Sequence, residues 1–257
     1  MSITVTTQIS GHVAEIRFAK PPLNFACPEL LRKIADELDV IDQNADIRCS
    51  VLASDGKSFC AGADLAGDES VTGGDGMNAI GELYVQAERL FRRKKPMIAA
   101  IQGAAIGAGI GLALSADFRI AAPAARLGAN FTRLGFHPGF GLTCTLPRLV
   151  GEQHAAWMML SSERVKPEQA LAWGLVDRLA EQDDLLAEAH KMAGEIAANA
   201  PLALLAVRET TMRGLADQVV IAMRHEHAEQ GILKATQDYA EGVASVFERR
   251  EAKFIGA

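Results

Sequence analysis

Ser58-Phe59-Cys60-Ala61-Gly62-Ala63-Asp64-Leu65 and, further along, Gln102-Gly103-Ala104-Ala105-Ile106-Gly107-Ala108-Gly109-Ile110-Gly111 decide how this chain is read. Each segment runs as a strand through small residues into a helix start, an arrangement that leaves a backbone N–H without an acceptor in its own chain. Two such donors aimed at one point make an oxyanion hole. A hole built of main chain suits chemistry in which a carbonyl oxygen becomes negative, and each aligned donor there is worth about 3 kcal/mol.

Around these segments the chain reads as a layered α/β core followed by helices. Its 257 residues, 49% of them hydrophobic, are enough for a sizeable core. Ile3 to Thr7 and Val13 to Phe18 form a hairpin turning at Ser10-Gly11, and Pro28 opens a helix whose face is Leu30, Leu31, Ile34, Leu38 and Ile41. Cys49 to Ala53 is a short buried strand ended by Ser54-Asp55-Gly56. Gly67 to Gly76 is a glycine-rich loop suited to act as a lid, and a charged helix spans about Met77 to Lys95. Strands at Met97–Ile101 and Phe118–Ala121 flank a helix at Gly107–Ala116, and Pro167 starts another helix that Gly174 ends. From Asp184 onward helical periodicity takes over. The expected division is an α/β core over 1–198, holding the site, and a C-terminal helical oligomerisation region over 199–257.

Composition removes several function classes. A net charge of -6 without basic runs argues against a nucleic-acid surface. Cys27, Cys49, Cys60 and Cys144 lack the paired spacing of zinc sites and read as reduced thiols, and the N-terminus lacks a secretory pattern, so a cytoplasmic protein without a metal is expected. The uncharged run Pro96 to Ala116, with glycines at 103, 107 and 111, has the small-residue spacing of packed membrane helices but is too rich in Ala and Gly to be strongly hydrophobic. Gly107 to Gly111 fails as a dinucleotide loop because Leu112 stands where the fingerprint needs glycine. His225-Glu226-His227 is no metal grip, since residues two apart in a helix diverge, and reads as a solvated face. Cys60 reads as a buried packing residue rather than a nucleophile.

The ordered pieces Leu23-Asn24, Phe59 to Leu65, Gly103 to Gly111, Ser115-Ala116-Asp117, Leu127-Gly128, Leu146 to Gly151 and Ala170 with Gly174-Leu175-Val176 together resemble the crotonase (enoyl-CoA hydratase/isomerase) superfamily over essentially the whole chain. The resemblance implies a spiral of ββα units with C-terminal helices that assemble trimers or hexamers. It also implies an acyl-CoA thioester as ligand, with coenzyme A entering as part of the substrate and no separate cofactor. Carried across, the two oxyanion donors are the backbone N–H groups of Ala63 and Ala108. Leu23, Ala61, Asp64, Leu65, Phe131 and Gly139 fall on the substrate site, and Arg249 falls where relatives place a cation for the CoA phosphates.

Departures from the family pattern shape the expected chemistry. The two glutamates of the hydratases are replaced here by Gly111 and Phe131, and the aspartate of the aryl-CoA dehalogenases falls near Gly139. Each lost acid or base removes about 10²- to 10⁴-fold. His137, held extended before Pro138, or the lid residues Asp68 and Glu69, are the candidates to move protons in their place, while Asp64 and Asp117 read as turn-fixing. The expectation is therefore an enzyme of the hydratase/isomerase type that stabilises a thioester enolate without ordinary hydration. A non-catalytic acyl-CoA binder and a nicotinamide-dependent dehydrogenase stand as alternatives.

Overall fold

The chain is described by a computed structural model over residues 2–64 and 79–257; Leu65, the Gly67–Gly76 loop and the lid carboxylates Asp68 and Glu69 lie outside the described residues. Strands β1 (Thr4–Ser10) and β2 (Val13–Ala19) form the expected antiparallel hairpin. Helix α1 (Pro28–Gln43) crosses to β3 (Cys49–Ser54), and α2 (Ala79–Arg92) crosses to β4 (Met97–Ile101). With β6 (Phe118–Ala121) and β9 (Arg178–Leu179) they complete a six-stranded sheet in the order β1-β2-β3-β4-β6-β9, parallel from β2 onward.

Burial on both faces explains the sequences of the central strands. Every residue of β3 and β4 is buried, so these strands read as unbroken apolar runs rather than alternating ones. Residues on one face, such as Val51, Ala53, Ile98 and Ala100, pack on Leu185, Ala189 and Ala193 of α6 (Leu185–Ala197). The opposite face, including Ile16, Phe18, Leu52 and Ala99, meets the apolar stripe of α1.

A second sheet carries the site. Between β4 and β6 the chain leaves the large sheet, runs through β5 (Ala104–Ile106) and α3 (Ala108–Leu114), and returns. Strand β5 pairs in parallel with β7 (Arg126–Gly128), which pairs antiparallel with β8 (Arg164–Val165). These strands are two or three residues long, too short to leave an alternating pattern in the sequence.

A 3₁₀ turn (Thr132–Leu134), α4 (Leu142–Ser161), which is kinked at Gly151, and α5 (Pro167–Ala172) come next, and α7 (Pro201–Thr211), α8 (Leu215–Leu233) and α9 (Gln237–Glu248) follow α6. The last helices return to the core: α8 lies against α2 and α4, and α9 against the 3₁₀ turn. Among the described residues no helix is long and apolar enough to cross a membrane.

Helix α7 has no buried residue, yet it is fixed by charge. Arg208 donates from Nε to Asp117 Oδ1 at 3.0 Å, and Arg93 donates to Asp117 Oδ2 at 2.5 Å. Asp117 also accepts the Met97 N–H at 2.8 Å, which makes it an anchor between helices and sheet as well as a turn residue. Burial alone would raise its carboxyl, but the charges of Arg93 and Arg208 hold it below the usual range. Removing the charge leaves two guanidiniums unpaired, so Asp117→Asn lowers the unfolding free energy by about 3–5 kcal/mol. A carboxyl with a lowered folded pKa stabilises above its unfolded value and loses that contribution as pH falls through the folded one. Urea titrations of wild type and Asp117→Asn therefore converge as pH drops into the acid range.

Candidate active site

The two donor segments lie side by side. Cys60 is bridged to Ala105: its N–H donates to the Ala104 carbonyl at 3.0 Å and its carbonyl accepts the Ile106 N–H at 3.0 Å. On the other edge Ala63 is bridged to Ala26, with the Ala26 N–H donating to Gly62 at 2.8 Å and the Asp64 N–H donating to Ala26 at 3.1 Å. In such a bridge the paired amides flank residue 63, whose own N–H points the other way. Gly109 lets α3 dock on this strand, because a Cβ there would stand 1.9 Å from the Cys60 carbonyl oxygen.

Ala108 begins α3 immediately after Gly107, whose φ of 56° belongs to glycine, and the Gly107 N–H is spent on the Gly128 carbonyl at 2.8 Å. Among the described residues neither the Ala63 nor the Ala108 N–H donates to a backbone carbonyl. Both residues line one cavity of about 340 Å³. Ligand sites fall in this size range.

Its walls are mostly apolar. Leu83 from α2, Phe131 and Phe136 around the 3₁₀ turn, Phe140 before α4, and Val243 and Phe247 from α9 all contribute. Of the expected substrate contacts, Leu23, Ala61, Asp64, Phe131 and Gly139 line this cavity. Arg249 does not: it caps α9 in an exposed left-handed conformation. His137 is also outside the lining, with Nδ1 2.7 Å from the Pro138 carbonyl oxygen and its ring packed edge-on to His225. The segment around His137 is a non-helical loop, and the imidazole is turned toward α8.

Phenylalanine and tyrosine crowd Gly111 and Gly139. A Cβ on Gly111 would meet the Phe140 ring at 2.5 Å, and one on Gly139 would meet the Tyr84 hydroxyl at 2.0 Å. That hydroxyl donates to Gln230 Oε1 at 2.9 Å, and Gln230 Nε2 donates to the His137 carbonyl at 3.0 Å. Burial, with the nearby Glu226 charge, pushes the Tyr84 phenol well above its ordinary value, so it is a neutral donor. Neither Tyr84 nor Gln230 stood out in the sequence; they lie 146 residues apart and meet only through the packing of α2 on α8.

The reading of His225-Glu226-His227 as a solvated face needs correction at its centre. Glu226 is fully buried and accepts from the Gly141 N–H at 2.7 Å, the Thr143 N–H at 2.9 Å and the Thr143 hydroxyl at 2.6 Å, capping α4 from another helix. Burial still leaves its carboxyl above the usual range. Asp64 is ion-paired with Lys20 at 2.6 Å. Cys60 is buried, as expected, and burial pushes its thiol up to about 11, which suits packing rather than nucleophilic attack. No cluster able to hold a metal ion occurs among the described residues.

Comparison with known proteins agrees with this architecture. A family model described as enoyl-CoA hydratase/isomerase matches residues 8–257. The chain belongs to the enoyl-CoA hydratase/isomerase family. Among its relatives are a crotonyl-CoA hydratase of Syntrophomonas wolfei, 34% identical over 91% of this chain and 90% of the relative, and an (E)-benzylidenesuccinyl-CoA hydratase of Thauera aromatica, 32% identical over 98% and 99%. A crystal structure of an enoyl-CoA hydratase/isomerase from Pseudoalteromonas atlantica superposes with a TM-score of 0.88 at 28% identity, covering 98% of this chain and 99% of the other. Membership in the enoyl-CoA hydratase/isomerase family and the α/β fold expected from the sequence are thereby established.

The close contact at Gly111 can be tested directly. Gly111→Ala forces its methyl into the Phe140 ring and costs about 1–3 kcal/mol of stability by overpacking. In a denaturation double-mutant cycle, Gly111→Ala with Phe140→Ala loses less than the sum of the single losses, because the second change opens the space the first one needs.

Proposed function

We propose that this protein processes acyl-CoA thioesters by holding the thioester oxygen on the Ala63 and Ala108 N–H groups while negative charge develops on it. The single observation behind this reading is that both amides, without backbone acceptors among the described residues, border the same apolar cavity. In a water-poor cavity such preorganised donors act on an enolate far more strongly than on the neutral ground state.

Ordinary hydration is not the expected reaction. Adding water across a double bond requires groups that deliver and remove protons, and Gly111 and Phe131 carry none. Reactions that make an enolate and then protonate it, such as double-bond isomerisation or decarboxylation, ask less of the site. Tyr84 is the better placed candidate to protonate the enolate that carbon dioxide loss leaves: it lines the cavity, whereas His137 does not and faces His225. Retention of an acyl-CoA site without turnover is the second reading, favoured by the ring of Phe140 against Gly111.

Incubation with a panel of saturated and unsaturated acyl-CoA thioesters in deuterated water, followed by mass spectrometry, separates the two. Turnover through an enolate places deuterium at the α-carbon of at least one thioester, and Tyr84→Phe, which removes the hydroxyl that protonates that enolate, lowers the incorporation by about 10²-fold or more. Binding without any incorporation identifies a non-catalytic site. Loss of incorporation in His137→Ala but not in Tyr84→Phe returns the proton-transfer role to the histidine.

A further inference from the structure

Arg164 is a solvent-exposed cation that also lines an otherwise largely apolar cavity, and among the described residues it has no hydrogen-bond or ion-pair partner. The adjacent carboxylate, Glu163, accepts instead from the Trp157 indole N–H at 2.5 Å, and Asp64, also on the wall, is taken by Lys20. Its backbone position is set by register. Arg164 on β8 stands opposite Gly128 on β7, the residue whose carbonyl holds the Gly107 N–H next to Ala108. The arginine stem lies across Gly128, with Cγ 3.4 Å from where a Cβ would be, beside Ile106 Cδ1 at 3.3 Å. Asn130 borders the same wall, its side-chain oxygen 3.8 Å from the Cβ position of Gly107, and it too has no side-chain partner among the described residues.

Arg164 on β8, two strands from β5, and Asn130 after β7 border the same cavity as the Ala108 amide, and a guanidinium fork together with a carboxamide suits a planar anion. We infer that Arg164, assisted by Asn130, recognises a free carboxylate on the acyl chain, so that the preferred substrates are dicarboxylic acyl-CoA thioesters. This inference rests on the acyl-CoA reading given above and narrows it to one substrate class. A contact between Arg164 and the coenzyme A phosphates is the competing arrangement, and it differs in consequence because every thioester carries those phosphates.

Isothermal titration of the full chain with succinyl-CoA and glutaryl-CoA, each against a neutral counterpart of matched length, butyryl-CoA and valeryl-CoA, tests it. Wild type binds the carboxylated member of each pair about 10-fold or more tightly, in keeping with a charge-assisted hydrogen bond. Arg164→Met brings that ratio close to one, and Arg164→Lys keeps only part of it because the ammonium lacks the fork. The inference is overturned if wild type favours the neutral thioesters, or if Arg164→Met weakens all four by a common factor, which assigns the arginine to the coenzyme. Tight binding of butyryl-CoA and valeryl-CoA without carboxylate preference overturns this inference alone, while absence of binding by all four ends the acyl-CoA reading with it.

Discussion

Two single-residue β-bridges hold this site together. Cys60 on Ala105 joins the strand leaving β3 to the second sheet, and Ala63 on Ala26 ties the same segment to the turn before α1. Together the two bridges fix the backbone of residues 60–64, so that residue 63 borders the same cavity as Ala108 at the start of α3. Gly109 permits the approach and Gly107 supplies the left-handed turn that starts the helix at Ala108. The large parallel sheet, buried on both faces, is the rigid frame from which these short pieces project.

Chemistry at the site follows from what fills the space beside those amides. Phe140 occupies the volume a side chain at 111 would need, and Tyr84 with Gln230 occupies that at 139. Each glycine is sterically locked to its neighbour, so placing a carboxylate at either position requires repacking and not a single substitution. Glu226 shows the same interdependence from below: a buried carboxylate on α8 holds the first turn of α4, and so fixes the loop that carries Phe140 and Gly139. Helices after residue 198 are therefore part of the site's structure.

The core was legible because its signals are local. The hairpin, α1, β3, β4 and β6 fall within three residues of their periodic patterns, and the small-residue segments around 60 and 107 stand out as places where backbone must approach backbone. Strands β7 and β8 escaped notice because two or three residues cannot display a period, whereas β5 falls in the Gln102–Gly111 segment read as a strand running into a helix. The polar side chains of the cavity escaped for a different reason. Tyr84, Asn130, Arg164 and Gln230 share no motif and converge only when α2, the β7–β8 pair and α8 pack, a long-range consequence that spacing does not encode. His137 illustrates the limit within a single residue: its place in a loop before Pro138 was readable, while its ring meets His225 on a distant helix.

In the proposed site, two amides polarise one thioester oxygen. Isotope-edited infrared spectroscopy of butyryl-CoA labelled with ¹³C at the thioester carbonyl reads that contact without requiring turnover. If Ala63 and Ala108 grasp the oxygen, the carbonyl stretch of the bound thioester falls below that of the free compound in water. A bound thioester whose stretch stays at or above the free value contradicts the claim.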